Sequence, residues 1–260
     1  MAAQSKLDPS MKTAVVTGGS SGIGEAIARA LTRRGWRCVL LARGRERLER
    51  VAAELGAEFE QCDVSDREQV EKIGRWVAET HPAVHLLVNN AGVSERRDFL
   101  ELPPERIEEV MRINYLGSVW CVRAFLPLLE ADAPADVVNI VSVAGTIAYG
   151  SSGAYSASKH AQLAFSRRIG VELAPRGIRV HTINPGPVPT VSFPQGRLLR
   201  HPLARHWVAT ADDIANATIR AVERGRAEIV RPRSLRAVSV AQSLAPATMA
   251  RVLARWGRRR

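Results

Sequence analysis

The chain has 260 residues, 46% hydrophobic and 24% charged, enough for one well-buried core and short for two typical domains. Its 37 Lys and Arg against 26 Asp and Glu give a net charge of +11, but eight Arg and no acid fall in residues 231–260, which leaves only +3 on the rest. A charge so localised argues against a nucleic-acid-binding body and for a basic segment appended to a nearly neutral domain.

Residues 1–11 lack the apolar stretch of a secretory signal and are expected to be a flexible extension. From there, short β-branched runs at 12–17, 37–42, 57–62, 85–90, 136–142, 178–184 and 227–230 alternate with longer amphipathic segments. That alternation predicts an α/β fold: a doubly wound parallel sheet of about seven strands, Rossmann type, in one domain over 12–231. Residues 232–260 read as a basic amphipathic C-terminal extension, whose longest uncharged run, Ala237 to Ala250, has 14 residues and contains Pro246. A membrane span needs about 20. Cys38, Cys62 and Cys121 are odd in number and widely separated, which gives neither a disulfide framework nor a metal-ligand spacing and fits a reducing cytoplasm. The six histidines are scattered too, so no metal site is expected.

In doubly wound sheets ligands bind at the carboxyl ends of the strands, so the residues that follow each run carry the functional information. After the first run comes Thr17-Gly18-Gly19-Ser20-Ser21-Gly22-Ile23-Gly24, opening an amphipathic segment. Glycines there permit a tight turn and let backbone N–H groups approach a pyrophosphate at a helix N-terminus. Gly18, Ser20, Ser21, Gly22, Ile23 and Gly24 are therefore candidate cofactor contacts, in a GxxxGxG variant of the GxGxxG fingerprint. The second run ends Leu41-Ala42-Arg43-Gly44-Arg45, with no carboxylate before Glu46. An acid at this place bonds a ribose 2′-hydroxyl, whereas an arginine meets a 2′-phosphate, so Arg43 points to NADP(H).

Tyr155-Ser156-Ala157-Ser158-Lys159 opens the segment after the fifth run. Tyrosine and lysine four residues apart share a helix face. A nearby ammonium favours the phenolate and lowers a tyrosine pKa of about 10 toward neutrality, which makes the phenol a usable general acid or base. Alone, the spacing is common by chance and better read as a surface pair. Ser142 stands 13 residues earlier at the exit of the fifth run, where its hydroxyl could bond a substrate carbonyl.

Taken together, TGGSSGIG (17–24), CDV (62–64), NNAG (89–92), IN (113–114), IVS (140–142), YSASK (155–159) and NPGPVPT (184–190) resemble the ordered signature of the classical short-chain dehydrogenase/reductase family, over about residues 12–230. The resemblance implies a catalytic set of Asn114, Ser142, Tyr155 and Lys159. Tyr155 would protonate a carbonyl oxygen, or take the alcohol proton in reverse, while Lys159 lowers its pKa and holds the nicotinamide ribose. Ser142 would orient the substrate oxygen, and Asn114 would kink its helix and anchor a relay water. The resemblance also implies adenine contacts at Asp63 and Val64, and a structural turn beside the cofactor at Asn90, Ala91 and Gly92. Around the nicotinamide it implies Pro185, Gly186, Val188 and Thr190. The expected activity is NADP(H)-dependent hydride transfer to or from a carbonyl or secondary alcohol, in a homodimer or homotetramer. A cofactor-binding regulator or scaffold without turnover is the competing reading, and it has no physical need for all four catalytic residues.

After NPG, Val191 to about Val208 is expected to form a lid with Phe193, Leu198, Leu199 and Trp207 as apolar candidates, facing Thr146, Ile147, Ala148 and Tyr149. A mainly apolar pocket of this kind suits a lipophilic ketone. In the tail, Met249, Val252, Leu253 and Trp256 recur at helical spacing beside Arg251, Arg255 and Arg258 to Arg260. That is the pattern of a helix resting on an anionic membrane surface; packing of the stripe on the parent domain or a second subunit is the alternative. No nucleic-acid partner is expected, since no stacking platform accompanies the charge.

Overall fold

The computed structural model describes residues 11–147, 153–190, 207–249 and 251. The first half of the chain runs β1 (Thr13–Thr17), α1 (Gly22–Thr32), β2 (Arg37–Ala42), α2 (Arg45–Leu55), β3 (Glu58–Gln61), α3 (Arg67–Thr80) and β4 (Leu86–Asn89). It continues through α4 (Pro104–Met111), α5 (Gly117–Glu130), β5 (Ala135–Ile140), α6 (Gly153–Leu173) and β6 (Ile178–Pro185). The described chain closes with α7 (Ala211–Glu223), β7 (Glu228–Arg231) and α8 (Leu235–Leu244). Each of the seven β-branched runs has become a strand, and the strands form one parallel sheet in the order β3-β2-β1-β4-β5-β6-β7.

Successive residues of a strand point to opposite faces. Ala14, Val16, Leu40, Leu86, Val88, Val138 and Ile183 pack with the apolar faces of α1, α2 and α7. Their neighbours Val15, Val39, Leu41, Leu87 and Val137 pack with α3 and α5 on the other side. Both faces are covered, which is why these strands read as near-continuous apolar runs rather than alternating ones. The strand order reverses direction at β1, whose neighbours are β2 and β4. Crossovers leave that point to opposite faces of the sheet, so a crevice opens at the carboxyl ends of β1 and β4.

Helix α6 is keyed to the sheet by a buried polar row. Asn89, Asn139 and Thr182 are in register on β4, β5 and β6. Asn89 Nδ2 donates to Asn139 Oδ1 at 2.9 Å, Asn139 Nδ2 donates to Ser166 Oγ on α6 at 2.9 Å, and the Ser166 and Thr182 hydroxyls lie 2.7 Å apart. Leucine at position 139 would strand two buried polar partners at once. The Asn139→Leu variant is therefore expected to lose about 2–4 kcal/mol of stability, measured by urea unfolding. An unchanged midpoint would show that the row is dispensable.

Cys38, Cys62 and Cys121 are buried and free, and burial raises all three thiols, Cys38 to about 11 and Cys62 to about 12. No described helix is long and apolar enough to cross a membrane.

Candidate active site

The crevice is floored by the glycine turn that joins β1 to α1. Gly18 (φ +65°) and Gly22 (φ +59°) take left-handed conformations that side chains adopt only with strain. A Cβ on Gly24 would stand 2.3 Å from Gly18 O and 2.4 Å from Asn90 Nδ2, so α1 begins hard against the turn. Ser21, the residue before α1, is extended and makes no side-chain cap, which leaves the helix N-terminus available to an anion. Ser20, Ser21 and Ile23 lie partly exposed along the same turn.

The turn is held from the next strand. Thr17 Oγ1 accepts from the backbone N–H groups of Asn90 and Ala91, both at 3.0 Å, and donates to Val88 O at 3.2 Å. Asn90 Nδ2 donates to Thr17 O at 3.0 Å and Gly18 O at 3.2 Å. The amide N–H groups of Asn90 are thus spent on shaping the glycine turn.

At the far end of the crevice, the exposed Arg43 guanidinium lies 3.9 Å from Asp63 Oδ2, so the residues ending β2 and following β3 face one another. Val64 is buried against the start of α5, where a Cβ on Gly117 would meet its Cγ2 at 2.9 Å. On the opposite side Thr190 abuts the glycine turn: a Cβ on Gly22 would be 2.9 Å from Thr190 Cγ2. Val188 is buried, and Pro185 closes β6. A bare, glycine-lined turn flanked by an arginine at one end and Thr190 at the other fits an elongated anionic dinucleotide.

The residues implied as catalytic gather at the same edge of the sheet. Tyr155 and Lys159 share a face of α6, with Nζ 5.9 Å from the ring centroid. Lys159 is buried; its ammonium donates to Ile140 O at 3.1 Å and to Gln162 Oε1 at 2.7 Å. Burial pushes this group down to about 7. Asn114 sits in a π-helical turn, Arg112–Leu116, between α4 and α5, at the place where the resemblance implies a kink. Its Nδ2 donates to Val93 O at 3.0 Å and Ser158 Oγ at 2.9 Å, and its Oδ1 accepts from Val93 N at 2.8 Å. A Cβ on Gly92 would lie 3.1 Å from Asn114 Oδ1 and 3.7 Å from Lys159 Nζ, so these two side chains flank that glycine. Ser142 leaves β5 with its Oγ accepting from Ala144 N at 3.1 Å and facing Pro185 O at 3.5 Å. The turn it caps packs onto α6, where a Cβ on Gly145 would stand 2.7 Å from Lys159 O.

Several participants escape a reading of motifs. Gln162 is fully buried one helical turn beyond Lys159, and its only trace in the sequence is a polar residue on the inward face of α6. Helix α8, read from sequence as part of a separate extension, returns to the site. Leu235 Cδ1 would be 2.4 Å from a Cβ on Gly186, and Ser239 Oγ lies 2.9 Å from Thr146 Oγ1. Near the mouth, buried Glu95 bonds Arg97 and Arg106, which hold its carboxyl far below the usual carboxylate range and brace the chain after β4. That brace precedes the exposed Phe99, which packs against Gly153 at the start of α6. Of the expected lid, Trp207 is exposed, whereas Phe193, Leu198 and Leu199 lie outside the described residues. So do Ala148, Tyr149 and the tail residues Val252, Leu253, Arg255, Trp256 and Arg258 to Arg260.

Known proteins are similar to this chain in sequence and in fold. The sequence model of the family described as short chain dehydrogenase matches residues 12–196. A protein of Anopheles gambiae described as dehydrogenase/reductase SDR family protein 7-like is 37% identical over 190 residues, 69% of this chain and 60% of that one. Among solved structures, an alcohol dehydrogenase from Thermococcus sibiricus complexed with 5-hydroxy-NADP is similar with a TM-score of 0.75 at 33% identity, over 85% of this chain and 95% of the other. A short chain dehydrogenase/reductase from Burkholderia phymatum in complex with NAD reaches a TM-score of 0.80 at 28% identity, over 92% and 95%. The matched region runs from the glycine turn through Asn114, Ser142, Tyr155 and Lys159 to the segment after β6, and the chain belongs to the short-chain dehydrogenase/reductase family.

Proposed function

We propose that the protein is an NADP(H)-dependent oxidoreductase that interconverts a lipophilic ketone and its secondary alcohol, with Tyr155 as general acid and base. The observation that carries this reading is the buried Lys159 ammonium beside the Tyr155 ring, on one face of α6 at the carboxyl edge of the sheet. A cation in a dry site stabilises a neighbouring phenolate far more than it would in water. Tyr155 Oη then gives its proton to the carbonyl oxygen in reduction and recovers one from the alcohol in oxidation. Ser142 Oγ holds the substrate oxygen, and Asn114 keeps the chain after β4 in place through Val93. A nicotinamide cofactor, when bound, supplies or accepts the hydride. Gly18 to Gly24 would hold its pyrophosphate, Asp63 and Val64 its adenine, Asn90 to Gly92 its middle, and Pro185, Gly186, Val188 and Thr190 its nicotinamide.

Of the two similar solved structures, one is complexed with 5-hydroxy-NADP and the other with NAD. Preference for NADP(H) here rests on Arg43, which stands exposed at the end of β2 with no carboxylate of that strand beside it. A charge-assisted bond to a 2′-phosphate is worth about 1.5–3 kcal/mol. Arg43→Ala is therefore expected to weaken NADPH binding by about tenfold or more and leave NADH binding unchanged, as read by titration of nucleotide fluorescence. A wild-type protein that prefers NADH would overturn the assignment. The lipophilic substrate is supported by Phe99 and Trp207, exposed side chains on residues beside Gly153 and Gly186. A screen of NADPH oxidation against ketones, aldehydes and acyl thioesters tests it, and turnover confined to polyhydroxylated substrates would refute it.

A further inference from the structure

We infer that Gln162 is a positioning residue for Lys159, holding the ammonium protonated and directed toward Tyr155 without adding a countercharge. The inference rests on the acid–base reading of Tyr155 and Lys159 and extends it to a residue outside the implied catalytic set.

The geometry is closed at both ends of the glutamine. A lysine ammonium has three donors and no acceptor. Only Oε1 can therefore face Nζ, which it does at 2.7 Å, and Nε2 is left to donate to Ser118 Oγ on α5 at 2.8 Å. Gln162 and Ser118 are both buried, at 0% and 4% exposure. A fully buried position on a helix is normally filled by an apolar side chain, because an amide taken out of water must find all its partners inside. Here the amide finds them, one on the sheet-facing lysine and one on the neighbouring helix.

The chemistry explains why an amide serves at this place. The groups around the ammonium are Ile140 O from β5, Gln162 and Tyr155 on α6, and Gly92 after β4 with Asn114 of the π-helical turn beside it. Ser118 of α5 stands behind Gln162. Tyr155 is the one of these that titrates, and among the described residues no carboxylate pairs with Lys159. Burial drives the ammonium toward the neutral amine, whereas two carbonyl dipoles, Ile140 O and Gln162 Oε1, oppose that loss. A carboxylate would hold the proton more firmly but cancel the field of the cation at the phenol. The amide supports the proton and leaves the full positive charge to act on Tyr155.

The test separates this role from a mere tie between α6 and α5. Full-length wild type, Gln162→Leu and Gln162→Glu are titrated by ¹³C NMR of lysine Cε, with the Lys159 signal assigned by its absence in Lys159→Arg. In parallel, the pH profile of kcat/KM is measured for NADP⁺-dependent oxidation of a secondary alcohol. Removing the acceptor is expected to lower the Lys159 midpoint by about one pH unit, a tenfold loss of proton affinity, and the carboxylate is expected to raise it. Both variants weaken the field at the phenol, so both profiles move to higher pH, with about a tenfold loss at pH 7. Opposite movements of the lysine titration with a common movement of the rate profile support the inference. A lysine titration identical in all three proteins overturns it, even where activity falls. Should Gln162→Leu fail to fold, Ser118→Ala releases the far end of the amide and is expected to lower the Lys159 midpoint by a smaller amount; no movement there overturns the inference as well. Because the NMR reading needs no turnover, shifted lysine titrations in a protein that converts no carbonyl would uphold the positioning role and remove the reductase reading instead.

Discussion

Replacing Tyr155 by phenylalanine is expected to reduce turnover by about 10²–10⁴-fold, the usual contribution of a positioned acid–base group. The substitution removes one oxygen and keeps the ring. Its ring still lies alongside the Lys159 ammonium, whose bonds to Ile140 O and Gln162 Oε1 do not involve the phenol. Cofactor affinity and melting temperature should therefore stay close to wild type, while the chemical step loses its proton donor. NADPH binding by fluorescence and steady-state turnover on the same preparation separate the two effects. Turnover at the wild-type rate would remove Tyr155 from the mechanism. Loss of cofactor binding in step with activity would point to a structural defect instead.

The second large effect is expected at Gly24. An added methyl would meet Gly18 O at 2.3 Å, Asn90 Nδ2 at 2.4 Å and Gly18 C at 2.8 Å. Two of these are backbone atoms of a turn already committed to a positive φ, and the third is the amide that holds that turn. None can move aside alone. Gly24→Ala is therefore expected to push α1 off the turn, costing about 1–3 kcal/mol of stability, or a fall in Tm of roughly 2–4 °C per kcal/mol for a chain of this size. It should also weaken dinucleotide binding by more than about tenfold, since the helix N-terminus and the turn no longer share one surface. Thermal melting and NADPH titration check both. Normal binding with a normal Tm would show that the close approach is not required.

The glycine turn and the Tyr155-to-Lys159 spacing were legible in the sequence because each is a local device. A left-handed turn needs glycine at fixed offsets, and two side chains that share a helix face need a separation of about one turn. The seven strands were legible for a related reason: burial on both faces demands continuous apolar runs, and those runs are properties of short segments.

Other features depend on residues that are remote along the chain. The β-branched runs do not encode that β1 lies between β2 and β4, although that order is what opens the crevice. Gln162 acquires its meaning from Ser118, 44 residues away, and Arg43 meets Asp63 only because β2 and β3 are neighbours. Helix α8 looked separable because it lies in the arginine-rich, acid-free stretch after β7; what joins it to the site is Leu235 against Gly186 and Ser239 against Thr146, 93 residues apart.

The sequence by itself therefore determined the fold class and the family, and put forward Tyr155 and Lys159 as an acid–base pair: periodicity marks the strands, and the ordered motifs carry the family resemblance. Tertiary structure alone decided how dry the Lys159 ammonium is, which amide steadies it and which C-terminal helix covers the segment after β6. Burial and hydrogen-bond partnership are set by chain crossings that bring distant residues within 3 Å, and no local pattern records them.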